Sequence, residues 1–452
     1  MTEVASVASS AFPARPGNLV RFLIDGEAIF RRIGEAVASA RHGVWLTVAF
    51  YADDFRFPDG LALFDVLDAA VARGLDVRVL FWRPNPESSG YGRTFAGTPS
   101  DRDLLRARGS RFKVRWDRAK GAFCQHQKSW MIDAGHPSET AFVGGANLTA
   151  KALLRHDVYA EITGPSATDI RHNFVQRWND ASERTAPDGN WACDPLDELP
   201  ILQAMPISQG SSTVQVQRTL GPDKSILDQY KQAIDAASRT IYLENQAIPI
   251  PEVAAHLEGA LQRGVEVILV VPAIPEAPVY EARRDPARRG LFNALERLAA
   301  YPNFLLAGMA ESSNADRRFT YVHAKVMIVD DTWATVGSCN LHTFSLTGNA
   351  EMNASIWDAG AATALRCALF RRQLNVETAS LPGREAFAFF RSVARDNRRK
   401  IETVSGGLEG AAIMLLPTAY AREPDALPCP VCLRYVGRLI ASAAMIAGLI
   451  KK

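Results

Sequence analysis

Apolar residues recur along the chain at helical and then at strand spacing, in an order that appears twice. The first series predicts a helix over Ala28 to Ala40, a strand Val44 to Phe50, a helix Leu61 to Ala72 and a strand Val77 to Phe81. Arg73-Gly74 closes the second helix, glycine being the usual residue where a helix ends in a left-handed turn. The later series runs helix Ile226 to Ala237, strand Thr240 to Asn245, helix Val253 to Gln262, Arg263-Gly264, and strand Val265 to Val271. Pro84 and Pro272 close the second strand of each series. This is the signature of a duplicated α/β unit.

In each copy polar residues then break an apolar pattern at fixed places. Tyr321 to Asn340 reads YVHAKVMIVDDTWATVGSCN, and Gln125 to Asn147 reads QHQKSWMIDAGHPSETAFVGGAN. Each holds a histidine and a lysine two residues apart (His126 and Lys128; His323 and Lys325), an aspartate (Asp133; Asp330), and a closing Gly-x-x-Asn (Asn147; Asn340). Residues i and i+2 of an extended chain share a face, so His and Lys project together. The aspartates have odd spacing from both and would repel a bound anion, so they read as structural groups.

Three fixed residues match by chance at roughly one start in ten thousand when each type is near 5% of residues. Two matches with the same ending are therefore a signal. After each asparagine the likeness continues, with Leu153 to Ile162 answering Gly348 to Ile356, and helices Ala167 to Asn179 and Ala361 to Asn375 following.

HxKxxxxD followed by GSxN, present twice, resembles the phospholipase D superfamily. The second copy fits throughout. In the first, ten residues instead of six separate the aspartate from the glycine, as an extended hairpin turn would allow, and Gly145 stands where the second copy has Ser338. The resemblance implies an α/β fold of two duplicated α/β/α sandwich domains packed about a pseudo-twofold axis, with the motifs meeting between them. On this reading the N-terminal domain covers 18–182, a Pro/Asp/Ser/Gly-rich linker 183–212, the C-terminal domain 213–376 and an extension 377–452.

The chemistry follows from the residue types. A neutral imidazole is a nucleophile toward phosphorus, a second can protonate the leaving oxygen, and lysine and asparagine can hold phosphate charge. The resemblance implies a phosphohistidine on His126 and acid/base work by His323, and the near-symmetry leaves the reverse assignment open. Lys128, Lys325, Asn147, Asn340 and Ser338 would bind phosphate. The family also uses an acidic residue beyond the turn to fix each imidazole tautomer; Asp157 and Glu351 match that place, 31 and 28 residues after the histidines of their own repeats. No metal or cofactor is required by this scheme. His156, beside Asp157, is the remaining histidine placed to approach the site.

Composition narrows the reading little. The 452 residues are 47% hydrophobic and 22% charged with net charge +2, ordinary for a globular protein and without a strongly basic balance. The N-terminus lacks the basic and apolar regions of a secretory signal, and no run reaches the roughly 18 apolar residues of a membrane span. A cytoplasmic, monomeric protein that associates peripherally with membranes is the expectation. Cys429 and Cys432 form a lone CxxC, weak as a metal or redox signal. The apolar Leu439 to Ile450 reads as a core helix before an interfacial anchor.

Tyr242-Leu243-Glu244-Asn245-Gln246 and His156-Asp157-Val158-Tyr159 resemble segments of phospholipases D proper, and Trp333 to Leu346 resembles cardiolipin synthases. The expected activity is hydrolysis of glycerophospholipids to phosphatidic acid, or transfer of the phosphatidyl group to an alcohol; cardiolipin synthesis is the alternative. The competing class is a nucleic-acid phosphodiesterase, suggested by basic stretches at Arg102 to Lys120 and at Arg283-Arg284 and Arg288-Arg289. Intact motif aspartates and two motifs in one chain set the sequence apart from tyrosyl-DNA phosphodiesterases and from small dimeric nucleases of the superfamily.

Overall fold

The computed structural model describes residues 3–181, 197–200, 207–312, 317–403 and 406–422. Most of the expected linker, the CxxC and the apolar stretch near the C-terminus lie outside these residues.

The first half supplies strands β1 (Arg15–Ile24), β2 (Gly43–Val48), β3 (Asp76–Trp82), β4 (Lys113–Asp117), β5 (Ser129–Ile132), β6 (Thr140–Gly144) and β7 (Val158–Thr163). The second supplies β8 (Ser212–Thr219), β9 (Thr240–Asn245), β10 (Glu266–Val270), β11 (Phe304–Ser312), β12 (Arg317–Thr320), β13 (Lys325–Val329), β14 (Trp333–Gly337), β15 (Glu351–Trp357) and β16 (Ala412–Met414). They form one sheet in the order β12-β11-β10-β9-β13-β14-β15-β8-β1-β7-β6-β5-β2-β3-β4, with β16 on β11. Apart from the edge strand β12, the order reads the same from either end toward the central antiparallel pair β1–β8, where Asn18 faces Ser212. Duplication is therefore visible as a pseudo-twofold relation between the halves.

Helices cover both faces. On one lie α1 (Gly26–Ser39), α2 (Leu63–Ala72) and α3 (Pro99–Arg108) in the first half, and α5 (Ser225–Ala236), α6 (Pro251–Gln262), α7 (Ala277–Arg284) and α8 (Arg289–Leu298) in the second. On the other lie α4 (Pro165–Asp180), α10 (Ala359–Leu374) and α11 (Gly383–Glu402); the short α9 (Thr343–Thr347) follows the second motif. The strands are apolar on both faces for this reason: Val326 and Ile328 belong to the same core as Leu369 and Phe370 of α10, while Met327 and Val329 belong to that of α5 and α6. No helix among the described residues is long and apolar enough to cross a membrane.

The central strands β1 and β8 have no counterpart in the elements expected from sequence. In β8 the reason is plain. Two of its buried positions are Gln215 and Gln217, which satisfy their amides on Phe12 O, Gln229 and Ser355 and so hide the strand from a hydrophobicity pattern.

The candidate active site between the halves

The motif strands β5 and β13 lie in the interior of the sheet, each between a parallel and an antiparallel region. The motif aspartate ends each strand in a left-handed conformation, φ 54° at Asp133 and 55° at Asp330. Asp133 Oδ1 accepts from the amides of Arg41, His42 and Gly43, and Asp330 accepts from those of Ser238, Arg239 and Thr240. Each carboxylate thus latches the start of the neighbouring strand, β2 or β9, at the end remote from the histidine. Burial opposes the charge of Asp133, and its amide donors outweigh that and lower its pKa.

At the other end of the strands the halves interlock. His126 N–H donates to Ala350 O (2.8 Å) and Ala350 N–H to Cys124 O (2.9 Å). Across the pseudo-axis His156 N–H donates to Tyr321 O (3.0 Å) and His323 N–H to His156 O (2.8 Å). The side chains follow the same crossing. His126 Nδ1 lies 2.8 Å from Glu351 Oε2, and His323 Nδ1 lies 2.7 Å from Asp157 Oδ2. Each imidazole is therefore oriented by the carboxylate of the opposite half, not by that of its own repeat. A bond to Nδ1 fixes the tautomer and leaves Nε2 with its lone pair.

Burial lowers the pKa of His126 to about 4, against the favourable field of Glu351, and the lysines add to the effect. His323 is pushed well below the ordinary range by burial, with Lys325, Arg155 and Lys128 adding to it. Both rings are therefore neutral near pH 7. Burial also brings Lys128 down to about 7 and Lys325 to about 8, although Glu351 and Asp157 pull the other way. Lys128 Nζ donates to His126 O at 2.8 Å, and Lys325 donates to His323 O. The Oδ1 atoms of Asn147 and Asn340 are both buried without a partner. Turning either amide by 180° presents its NH2 instead, so both asparagines can meet an anion.

The two carboxylates are held differently. Glu351 accepts from Ser338 Oγ (2.6 Å), Ser345 Oγ (2.5 Å) and Asn349 Nδ2 (3.4 Å). Burial opposes its charge, but His126, Lys128 and Ser338 favour it and lower its pKa. Asp157 is raised to about 6, mainly by burial. Ser338, expected to contact phosphate, is fully buried and gives its hydroxyl to Glu351. In the first half there is no room for that hydroxyl: a Cβ on Gly145 would stand 2.8 Å from Asp157 Oδ1 and 3.0 Å from Lys325 Cδ. The shorter carboxylate sits where the serine would be.

His156 does not face the reacting groups. It is fully buried, with Nδ1 2.6 Å from Asp25 Oδ1 and Nε2 2.8 Å from Glu244 Oε2. Burial disfavours its charge, but the two carboxylates prevail and raise it to about 10. Tyr242 and Gln373 complete the shell of Glu244, and Arg372 that of Asp25. The sequence carried one signal for this network, the unusual pair of acidic and aromatic residues in Tyr242-Leu243-Glu244.

Two regions lie near the histidines, reached through the ring neighbours Phe50 of His126 and Tyr321 of His323. Beside His126 a run of rings, Phe50, Trp82, Tyr91, Phe344 and Phe123, leads outward with centroid spacings of 5.3 to 6.4 Å. Tyr91 and Phe344 are 42% and 44% exposed. Beside His323 a pocket of about 510 Å³ is lined by Lys151, Arg155, Glu276, Arg318, Tyr321 and Arg372, among others. Of the first basic stretch, Arg106, Arg108 and Lys113 are engaged with Asp103, Asp65, Asp68 and Asp197, and Arg115 is buried against Trp178.

A fold of two such halves with a paired His-Lys-Asn centre between them defines a phospholipase D-type protein. The chain belongs to the family described as cardiolipin synthase, PLD-like domain, which matches it over residues 33–178 and 230–372. It is 26% identical over 357 residues to cardiolipin synthase A of Pseudomonas putida, covering 76% of this chain and 66% of that protein. It is 25% identical over 366 residues to cardiolipin synthase of Listeria welshimeri, covering 75% and 66%. The matched part thus spans just under two thirds of these relatives. Among solved structures, phosphatidylserine synthase of Haemophilus influenzae shares the fold, with a TM-score of 0.54 and 17% identity over 86% of this chain and 96% of that one.

Proposed function

We propose that the protein is a phospholipase D-type phosphatidyltransferase acting on glycerophospholipids at a membrane surface. The observation that carries the reading is the crossed pair of histidine–carboxylate contacts with two lysines and two unpaired asparagine oxygens around them. The run of rings beside His126 suits the apolar part of a lipid, and the charged pocket beside His323 suits a polar head group or its replacement.

In the scheme, His126 Nε2 attacks phosphorus and the bond from phosphorus to the head-group oxygen breaks. That oxygen takes a proton from Nε2 of His323, which binds it from solvent as the diester enters, and an alcohol or water then gives its proton back to His323 as its oxygen displaces His126. The negative diester offsets Lys128 and Lys325, whose field otherwise disfavours protonated His323. Glu351, whose pKa is lowered while that of Asp157 is raised, is the better counter-ion for the cationic phosphoimidazole, which favours His126 as nucleophile.

Product analysis on phosphatidylglycerol and phosphatidylcholine vesicles, with and without glycerol or ethanol and with EDTA throughout, tests this. Phosphatidic acid or a phosphatidyl-alcohol lost in both His126→Ala and His323→Ala supports it, and a cardiolipin product from phosphatidylglycerol alone would assign the synthase. EDTA-resistant DNA cleavage without lipid turnover would replace it with the nuclease reading.

A further inference from the structure

The second basic stretch has a different fate from the first. It lies on α7 and α8, in the segment between β10 and β11 that answers α3 between β3 and β4. In α3, Arg106 and Arg108 are matched by carboxylates at 2.6 Å. In the second half Arg283, Arg284, Arg289 and Arg422 line a pocket of about 460 Å³ with Phe292, Asn293 and a single carboxylate, Glu296. Glu296 pairs with Arg283 and lies 3.6 Å from Arg422. Arg284 and Arg289 are exposed and have no ion-pair partner among the described residues. Arg283 is fixed over the Phe292 ring at 4.6 Å and bonded to Thr418 O at 3.1 Å, so one wall is built before any ligand arrives.

We infer that this pocket is an anion site separate from the reaction centre, one that takes a phosphate group. Guanidinium groups present paired N–H donors that match phosphate oxygens, and four of them around one carboxylate leave an uncompensated positive cavity. Glu276, just before α7, lines the pocket that holds Tyr321, and the eight residues of α7 set Arg284 about 12 Å along the helix from it. A phosphate held there sits on the second half alone. The phosphate is either the head group of an anionic phospholipid in the surface on which the enzyme works or a soluble phosphate compound.

The test compares the full chain with Arg284→Gln/Arg289→Gln, and with Arg106→Gln/Arg111→Gln as a control of equal charge change. Sedimentation is measured with vesicles of phosphatidylcholine alone and with added phosphatidylglycerol, and inorganic phosphate is titrated by calorimetry. The first pair should weaken binding to the anionic vesicles roughly 10- to 30-fold while the control changes it less than about twofold. Unchanged vesicle binding with loss of one calorimetric phosphate event would assign a soluble ligand to the same site. No change in either measurement, or an equal loss in the control, overturns the inference. Neither readout needs turnover, so a failure of the catalytic reading stays distinguishable; melting temperatures report whether the variants are folded.

Discussion

His126 and Glu351 stand 225 positions apart in the chain and 2.8 Å apart in the fold. His323 and Asp157 repeat the relation at 2.7 Å. Neither half therefore owns a complete imidazole–carboxylate pair, and the duplicated domains are bound into one centre by the groups that orient its chemistry.

Glu351→Gln keeps the shape of the contact and removes the charge. It should lower kcat by about 10² to 10⁴. Because the two residues act as a unit, adding it to His126→Ala should cost almost nothing further. Steady-state kinetics of the four proteins check this, and additive losses would separate the residues.

Gly145 is the second lever. A serine there would drive its Cβ against Asp157 Oδ1 at 2.8 Å and displace the partner of His323. Gly145→Ser should reduce kcat about 100-fold, the scale of a displacement near 1 Å at a reacting group. The melting temperature should fall with it. Wild-type activity in this variant would show that Asp157 can move freely.

The lysines set a pH dependence for anion binding. In the proposed function their charged forms hold phosphate, and burial brings them to about 7 and 8. Well below pH 7 both are charged and affinity is level. Above pH 8 both have lost their protons and must take them up on binding, so affinity falls about tenfold per pH unit for each lysine involved. The inhibition constant of a soluble phosphodiester, a monoanion throughout, followed from pH 6 to 10, measures it.

His156 contributes to stability rather than to bond-making. Its folded pKa, about 10, lies above the unfolded value, so its contribution is complete below pH 6.5 and is lost as pH rises toward 10. His156→Ala removes the cation between the two carboxylates, leaving Asp25 with Arg372 alone and the buried Glu244 without its charged partner, and should cost about 3–5 kcal/mol at pH 7. Urea unfolding at pH 7 and pH 10 should show the wild type approaching the variant at the higher pH.

Much of this was legible in the sequence because it is local. The series of strands and helices is written in apolar spacing, and His126, Lys128, Asn147 and their counterparts are written in the repeat. What was hidden depends on contacts between distant segments. The crossing of Asp157 and Glu351 follows from the pseudo-twofold packing, which spacing within a repeat does not encode. Ser338 looks like a ligand for phosphate in a motif and becomes a donor to Glu351 only once β14 and β15 pair. The strand β8 carries buried glutamines, and His156 carries a charge that burial alone would remove; both are satisfied by partners far along the chain.

The proposed transfer passes through a covalent intermediate formed at the shared centre. A phospholipid substrate should be mixed with His323→Ala, which can accept the phosphatidyl group but releases it slowly, quenched, digested and read by mass spectrometry. A phosphatidyl adduct is expected on the peptide that contains His126. An adduct found only on the His323 peptide, in the His126→Ala protein, would reverse the assignment. Turnover by the wild type with no adduct in either variant would contradict the mechanism.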